Sequence, residues 1–169
     1  MTQPSFTTAF DNYLKLVKET DALDALNNQQ PLINEYFDAI PEANADLSYA
    51  EGKWTLKEML QHIIDTERIM AYRALAFARG EKTSLPGFDE NTYAANSFAA
   101  NREWKGLVEE LKTVRLANLQ LFRSFNSKVL NNVGSANGKE ITPWILAIVM
   151  VGHIYHHRNI IEERYKPLF

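Results

Sequence analysis

Apolar residues recur along this chain at spacings of three and four rather than two, the period of a helix that buries one face. The pattern predicts four long helices and an all-α chain. The first starts after Thr20 as N-cap and passes through Leu23, Leu26, Leu32, Ile33 and Phe37 toward Ile40. Pro31 should kink or split it, because an interior proline removes a backbone hydrogen bond and crowds the preceding turn. Ahead of it, Phe6 to Val17 reads as either a short helix or an extended arm. The second helix, Leu56 to Arg79, has the sharpest boundaries. Thr55-Leu56-Lys57-Glu58 is a capping box, in which the Thr55 hydroxyl and the Glu58 carboxylate satisfy each other's free backbone N–H groups, and Gly80 supplies the stop. Met59, Leu60, Ile63, Ile64, Met70 and Leu75 form its apolar stripe. A long loop, Glu81 to Asn101, follows, and a connection of that length commonly has a role such as covering a site. The third helix spans Arg102 to Asn131 through Leu107, Leu111, Leu119 and Phe122, and Asn131 to Lys139 is turn chemistry with Gly134 and Gly138. Thr142 as N-cap and Pro143 at the first helical position open the fourth helix, which continues to Arg164.

Composition narrows the class. A hydrophobic fraction of 46% and a charged fraction of 23% are those of an ordinary globular protein, and 169 residues suffice for one full core, so a single domain over residues 1–169 is expected. The net charge is −3 and no basic patch stands out, which leaves nucleic acid without an electrostatic footprint. The longest strongly apolar run, Trp144 to Val151, is too short to span a bilayer, and Met1-Thr2-Gln3-Pro4 lacks the charged and apolar regions of a signal peptide. The expected compartment is the cytoplasm, with no membrane partner. The absence of cysteine excludes disulfides, thiolate ligands and a cysteine nucleophile.

Candidate chemistry rests on the histidines, of which there are only four. His153 and His157 lie four residues apart on the fourth helix, where such neighbours project from the same face and can grip one ion. With His153 at 0°, His157 falls near about 40° and His156 near about −60°, so the first two sit in the centre of the apolar stripe and the third at its edge. Two imidazoles on a core-facing stripe are costly unless their ring nitrogens find partners, and a shared metal satisfies both, although carbonyls or carboxylates would also serve. His62, alone in the second helix, would complete a three-histidine site with open coordination positions, the pattern of a catalytic rather than a closed structural metal. Asp65, three residues on, either orients an imidazole and acts as a base or is a surface carboxylate paired with Arg68. Glu67 falls on the apolar side, where a structural ion pair with an arginine of another helix is the expected role.

These residues carry a resemblance. Residues 51–68, from Glu51-Gly52-Lys53-Trp54-Thr55 to His62-Ile63-Ile64-Asp65-Thr66-Glu67-Arg68, resemble the first signature of the DinB/YfiT-like superfamily, and Gly152-His153-Ile154-Tyr155-His156-His157 resembles its second. Ala76-Phe77-Ala78-Arg79-Gly80 and Leu85-Pro86-Gly87-Phe88-Asp89 match between them, so the likeness covers nearly the whole chain. It implies a four-helix bundle of up-down-down-up type, often dimeric, with a divalent metal held by His62, His153 and His157. It also implies a metal-dependent hydrolase or an S-transferase that uses a low-molecular-weight thiol.

The expected function is accordingly that of a small metalloenzyme, with zinc or nickel as the metal that neutral imidazoles favour, a small-molecule substrate that includes a thiol in the transferase case, and Asp65 as the candidate base. Phe88, Tyr93, Trp104 and Tyr155 are candidate pocket aromatics. The alternative from another class is a non-catalytic stress-response binding or assembly module with a structural metal. A homodimer is expected, because the second helix carries Ala71, Tyr72, Ala74, Leu75 and Phe77 beyond its core stripe.

Overall fold

The computed structural model describes residues 10–169. Its helices are α1 (Asp11–Leu14), α2 (Ala22–Asn28), α3 (Gln30–Glu35), α4 (Leu56–Ala78), α5 (Glu90–Ala95), α6 (Trp104–Arg123), α7 (Ser127–Leu130) and α8 (Pro143–Ile160), with a hairpin of β1 (Gly134–Ala136) and β2 (Lys139–Ile141) before α8. The four-helix pattern holds, with α2 and α3 together forming the first bundle helix. That helix is split beside Pro31, and its cap is Asp21 rather than Thr20, the Asp21 carboxylate accepting from Leu23 N and Asp24 N. Of the expected segment Phe6 to Val17, residues 6–9 lie outside the described residues, and the remainder contains the short helix α1.

Hydrogen bonds between helices set their directions. Arg123 donates to Asn27, Arg115 to Gln29 and Trp104 Nε1 to the Phe37 carbonyl, so the first bundle helix and α6 run antiparallel. Arg102 at the start of α6 reaches Gln61 near the start of α4, and Arg115 and Asn118 reach Glu67 further along, so α4 and α6 run parallel. The Tyr165 hydroxyl, after α8, donates to Trp54 O ahead of α4, while Asn132, shortly before α8, donates to Phe77 O at the far end of α4; α8 is therefore antiparallel to it. The order is up, down, down, up.

Two parallel neighbours need a connection that returns the full length of the bundle, which is why residues 79–103 are so long. That connection is not structureless: Asp89 caps α5 by accepting from Thr92 N. The third helix also ends sooner than its apolar pattern suggests, at Arg123, because Asn126 caps the separate α7. The one pair of strands among the described residues is the hairpin, whose Asn137-Gly138 turn has φ of 51° and 70°, the pair of left-handed residues that a two-residue turn between twisted strands requires.

Helix α8 is the central element. From Ile145 to Ile154 every residue is buried, because α4 covers one side while α1 and α2 cover others, and a helix apolar all round belongs inside. Gly152 permits the α1 crossing: a Cβ there would collide with the Tyr13 carbonyl group. Beyond Ile160 the helix widens to π geometry over Ile161–Tyr165.

One polar network runs through this apolar interior. Arg115 is 0% and Glu67 2% exposed, and the guanidinium donates twice to the carboxylate, at 3.1 and 2.6 Å. Asn118 adds a third donor to Glu67 at 2.8 Å, Arg115 also reaches Gln29 Oε1 at 2.9 Å, and Gln29 Nε2 donates to the Val151 carbonyl of α8 at 2.8 Å. Glu67 thus has the structural ion pair that its sequence position requires. Removing one partner strands a buried charge, so Arg115→Ala is expected to lower unfolding free energy by about 3–5 kcal/mol in urea denaturation. A loss below about 1 kcal/mol would show that the network is solvated.

Candidate metal centre

The capping box that starts α4 fixes where His62 points. Thr55 N donates to Glu58 Oε2 at 2.7 Å and Glu58 N to Thr55 Oγ1 at 3.2 Å, which anchors the first turn and leaves His62 one turn further, facing α8. On α8, His153 and His157 stand one turn apart on the face that meets α4. The His153 Nε2 atom lies 3.0 Å from His62 Nε2 and 3.0 Å from His157 Nε2. One ligand nitrogen from each of the three histidines falls within 4.8 Å of the others. A hydrogen bond between neutral imidazoles uses one N–H and one lone pair, so three Nε2 atoms turned toward one point cannot all be paired by one another. A cation among them accepts three lone pairs at once. The three-imidazole donor set fits a borderline metal held through Nε2; His157 Nδ1, on the other side of its ring, is buried without a partner among the described residues.

Burial holds all three rings neutral, as a ligand must be. Desolvation is the leading cause in each case: His62 is pushed down from 6.5 to about 4, with Glu90 opposing the fall, and His153 and His157 are pushed well below the ordinary value, with the neighbouring imidazoles adding to the effect. His156 stands at the rim, half-buried, with its ring edge-on to Tyr13 at 5.4 Å.

A cavity of about 320 Å³ opens on the triad. Trp54 and Tyr13 wall it on two sides, Trp54 at 4.8 Å from the His62 ring and Tyr13 edge-on to His153 at 5.5 Å. From the long connection, Phe88 and Glu90 reach the same cavity, so that segment does shape the mouth. Asp65 is not brought to it. The carboxylate accepts from Gln61 Nε2 at 2.9 Å, in a polar group with Arg102, Glu110 and Arg68, and burial raises its pKa; Arg68 pairs with Glu110 at 2.6 Å instead of with Asp65. Among the expected aromatics only Phe88 lines the cavity. Tyr93 packs against Phe88 with the rings tilted and 5.2 Å apart, Trp104 is buried at the start of α6, and Tyr155 borders a different cleft. Thr66 joins the site without having stood out in the sequence: it is one turn past His62, lines the cavity, and its buried Oγ1 has no partner among the described residues. Its i+4 spacing from His62 is the one signal that points to it.

The pattern of the DinB superfamily matches residues 25–161, which include both signatures and all three histidines. The chain belongs to the DinB superfamily. In structure this DinB protein is similar to YfiT from Bacillus subtilis, described as a probable metal-dependent hydrolase with an unusual four-helix bundle topology, at TM-score 0.72 and 16% identity over 99% of this chain and 93% of that one. It is also similar to a mycothiol-dependent maleylpyruvate isomerase, at TM-score 0.65 and 15% identity, covering 89% of this chain and 62% of that one. No curated protein matches the chain in sequence.

The depressed histidine values have a consequence for the metal-free protein. A histidine whose folded pKa lies below its unfolded one contributes stability that is fully present above about 6.5 and is lost as pH falls toward the folded value, because the unfolded chain takes up protons first. Thermal melts of protein treated with a chelator should therefore fall between pH 6.5 and about 4, the window set by His62, and less so for His62→Ala. A melting temperature flat across that window would mean that these rings are solvated.

Proposed function

We propose that this DinB protein is a metal-dependent enzyme of the hydrolase or small-thiol transferase class, with a divalent ion, zinc or nickel, held by His62, His153 and His157. The observation that carries the reading is the 320 Å³ cavity opening directly on three converging imidazoles, with no fourth His, Cys, Asp or Glu among the described residues closing the group. A closed fourth position would have favoured the structural module instead. When bound, the ion supplies Lewis acidity that lowers the pKa of a water or thiol sharing it toward neutrality.

The chain's own residues do the rest. Trp54, Tyr13 and Phe88 give the cavity aromatic walls beside the three imidazoles. The Thr66 hydroxyl is free to hydrogen-bond the nucleophile, and Glu90, rather than Asp65, is the carboxylate placed at the cavity to take a proton. For assembly, Tyr72 at 60% and Leu75 at 37% exposure leave an apolar strip on α4 that supports the homodimer, whereas Ala71, Ala74 and Phe77 are buried within the chain. No helix among the described residues is long and apolar enough to cross a membrane.

Elemental analysis of purified protein tests the ligand set. About one divalent ion per chain is expected in the wild type and in His156→Ala, with at most about a tenth of that in His62→Ala, His153→Ala and His157→Ala. Metal retained in His157→Ala but lost in His156→Ala would show that the wrong pair has been chosen. The loaded protein should then turn over either an activated ester or a small thiol with an electrophilic acceptor, and His153→Ala should do neither.

A further inference from the structure

Arg73 is a buried charge without a carboxylate. The residue is 7% exposed, yet among the described residues no Asp or Glu forms an ion pair with it. Its Nη2 donates to the Pro86 carbonyl at 2.8 Å and its guanidinium lies 5.9 Å from the centre of the Phe88 ring. Arg115, the other deeply buried arginine, shows what this fold does with a guanidinium whose role is purely structural, since Glu67 neutralises it. A cation withdrawn from water at Arg73 and not neutralised from inside favours an anion from outside.

The place where that anion would sit is a second cavity of about 200 Å³, bordered by Arg73, Lys139, Asn137 and Gly87. It adjoins the cavity of the histidines, since Phe10, Met70, Phe88 and Glu90 line both. The walls are built rather than accidental. Leu85 N donates to Ser135 O at 2.9 Å and Asn137 N to Leu85 O at 3.0 Å, which ties the long connection to the hairpin and places Lys139 opposite α4. His62, Thr66, Met70 and Arg73 succeed one another at helical spacing, so the two lobes follow one face of α4 for about three turns. Arg73 and Lys139 line the far lobe and not the histidine cavity, while Glu90 borders both, so the far lobe is the seat for an anion that does not depend on a metal.

We propose that this second lobe is a carboxylate-binding subsite, and that the substrate of the three-histidine centre is an elongated small molecule that ends in an acid. The planar guanidinium fork of Arg73 matches a carboxylate, and Lys139 at the rim adds a second donor. The assignment rests on the catalytic reading of the histidine centre for the substrate's other end, while the subsite itself does not need the metal.

Calorimetric titration of zinc-loaded protein with mercaptooctanoate and with mercaptooctanol, an equivalent thiol without the acid, separates the two ends. The acid should bind about tenfold more tightly than the alcohol, and Arg73→Gln should bring the two to parity while leaving the alcohol's affinity unchanged. Lys139→Gln, at an exposed position that the fold does not depend on, should narrow the ratio as well, and it decides the matter if Arg73→Gln fails to fold. Equal affinities in the wild type, or a preference that survives both variants, would overturn the subsite while leaving the metal reading intact. If instead the alcohol binds equally with and without zinc, the metal reading fails, and octanoate on metal-free protein decides the subsite: Lys139→Gln must weaken it, and an unchanged affinity overturns the proposal.

Discussion

Arg115 lies in the apolar core with each of its three nitrogens directed at an acceptor, and those contacts tie the four bundle helices to one another. Its acceptors come from α4 through Glu67 and from the junction of α2 and α3 through Gln29, and Gln29 in turn reaches Val151 on α8. Glu67 lies a little over one turn beyond His62, and Val151 lies two residues before His153. The network therefore locks the register of α4 against α8 next to the place where the three imidazoles must meet. A slide of one turn, about 5.4 Å, would separate His62 from His153 and would also break the ion pair. Stability and site geometry here depend on the same contacts.

The second constraint is steric. Because Gly152 has no side chain, α1 crosses directly over α8 and brings Tyr13 to the rings of His153 and His156. Together with Trp54, which precedes the α4 cap, this encloses the histidines on the sides that the bundle leaves open. The long connection then supplies Phe88 and Glu90, held in place by its pairing with the hairpin. Each wall of the cavity is thus tied to a feature whose first duty is architectural: a close helix crossing, a cap, and a return segment imposed by two parallel helices.

Short-range chemistry is what the sequence makes legible. The Thr55–Glu58 box, the Pro31 break and the Thr142-Pro143 start are local hydrogen-bonding and steric facts, and the i, i+4 spacing of His153 and His157 follows from helix geometry alone. The hairpin reads only as a turn although Asn137-Gly138 is a strong hairpin signal, because its strands are three residues each and show too little alternation to register. The Asp89 cap of α5 is likewise hidden inside a segment whose composition is that of a loop. Asp65 attracts notice by its charge, yet at about −60° from His62 it faces Gln61 and the polar cluster with Arg102, while Thr66 at about +40° shares the cavity. Tyr13, Trp54 and Glu90 cannot be assigned from spacing, since only the tertiary crossings bring them to the histidines.

Everything proposed for the site depends on three nitrogens from two helices holding one ion. Anomalous diffraction recorded on either side of the zinc edge, from crystals grown with zinc, addresses this directly. A single strong anomalous peak about 2.0–2.1 Å from the Nε2 atoms of His62, His153 and His157, with no fourth protein ligand, is the predicted result. A peak placed instead on surface carboxylates, or bound to only one of the three rings, would contradict the account.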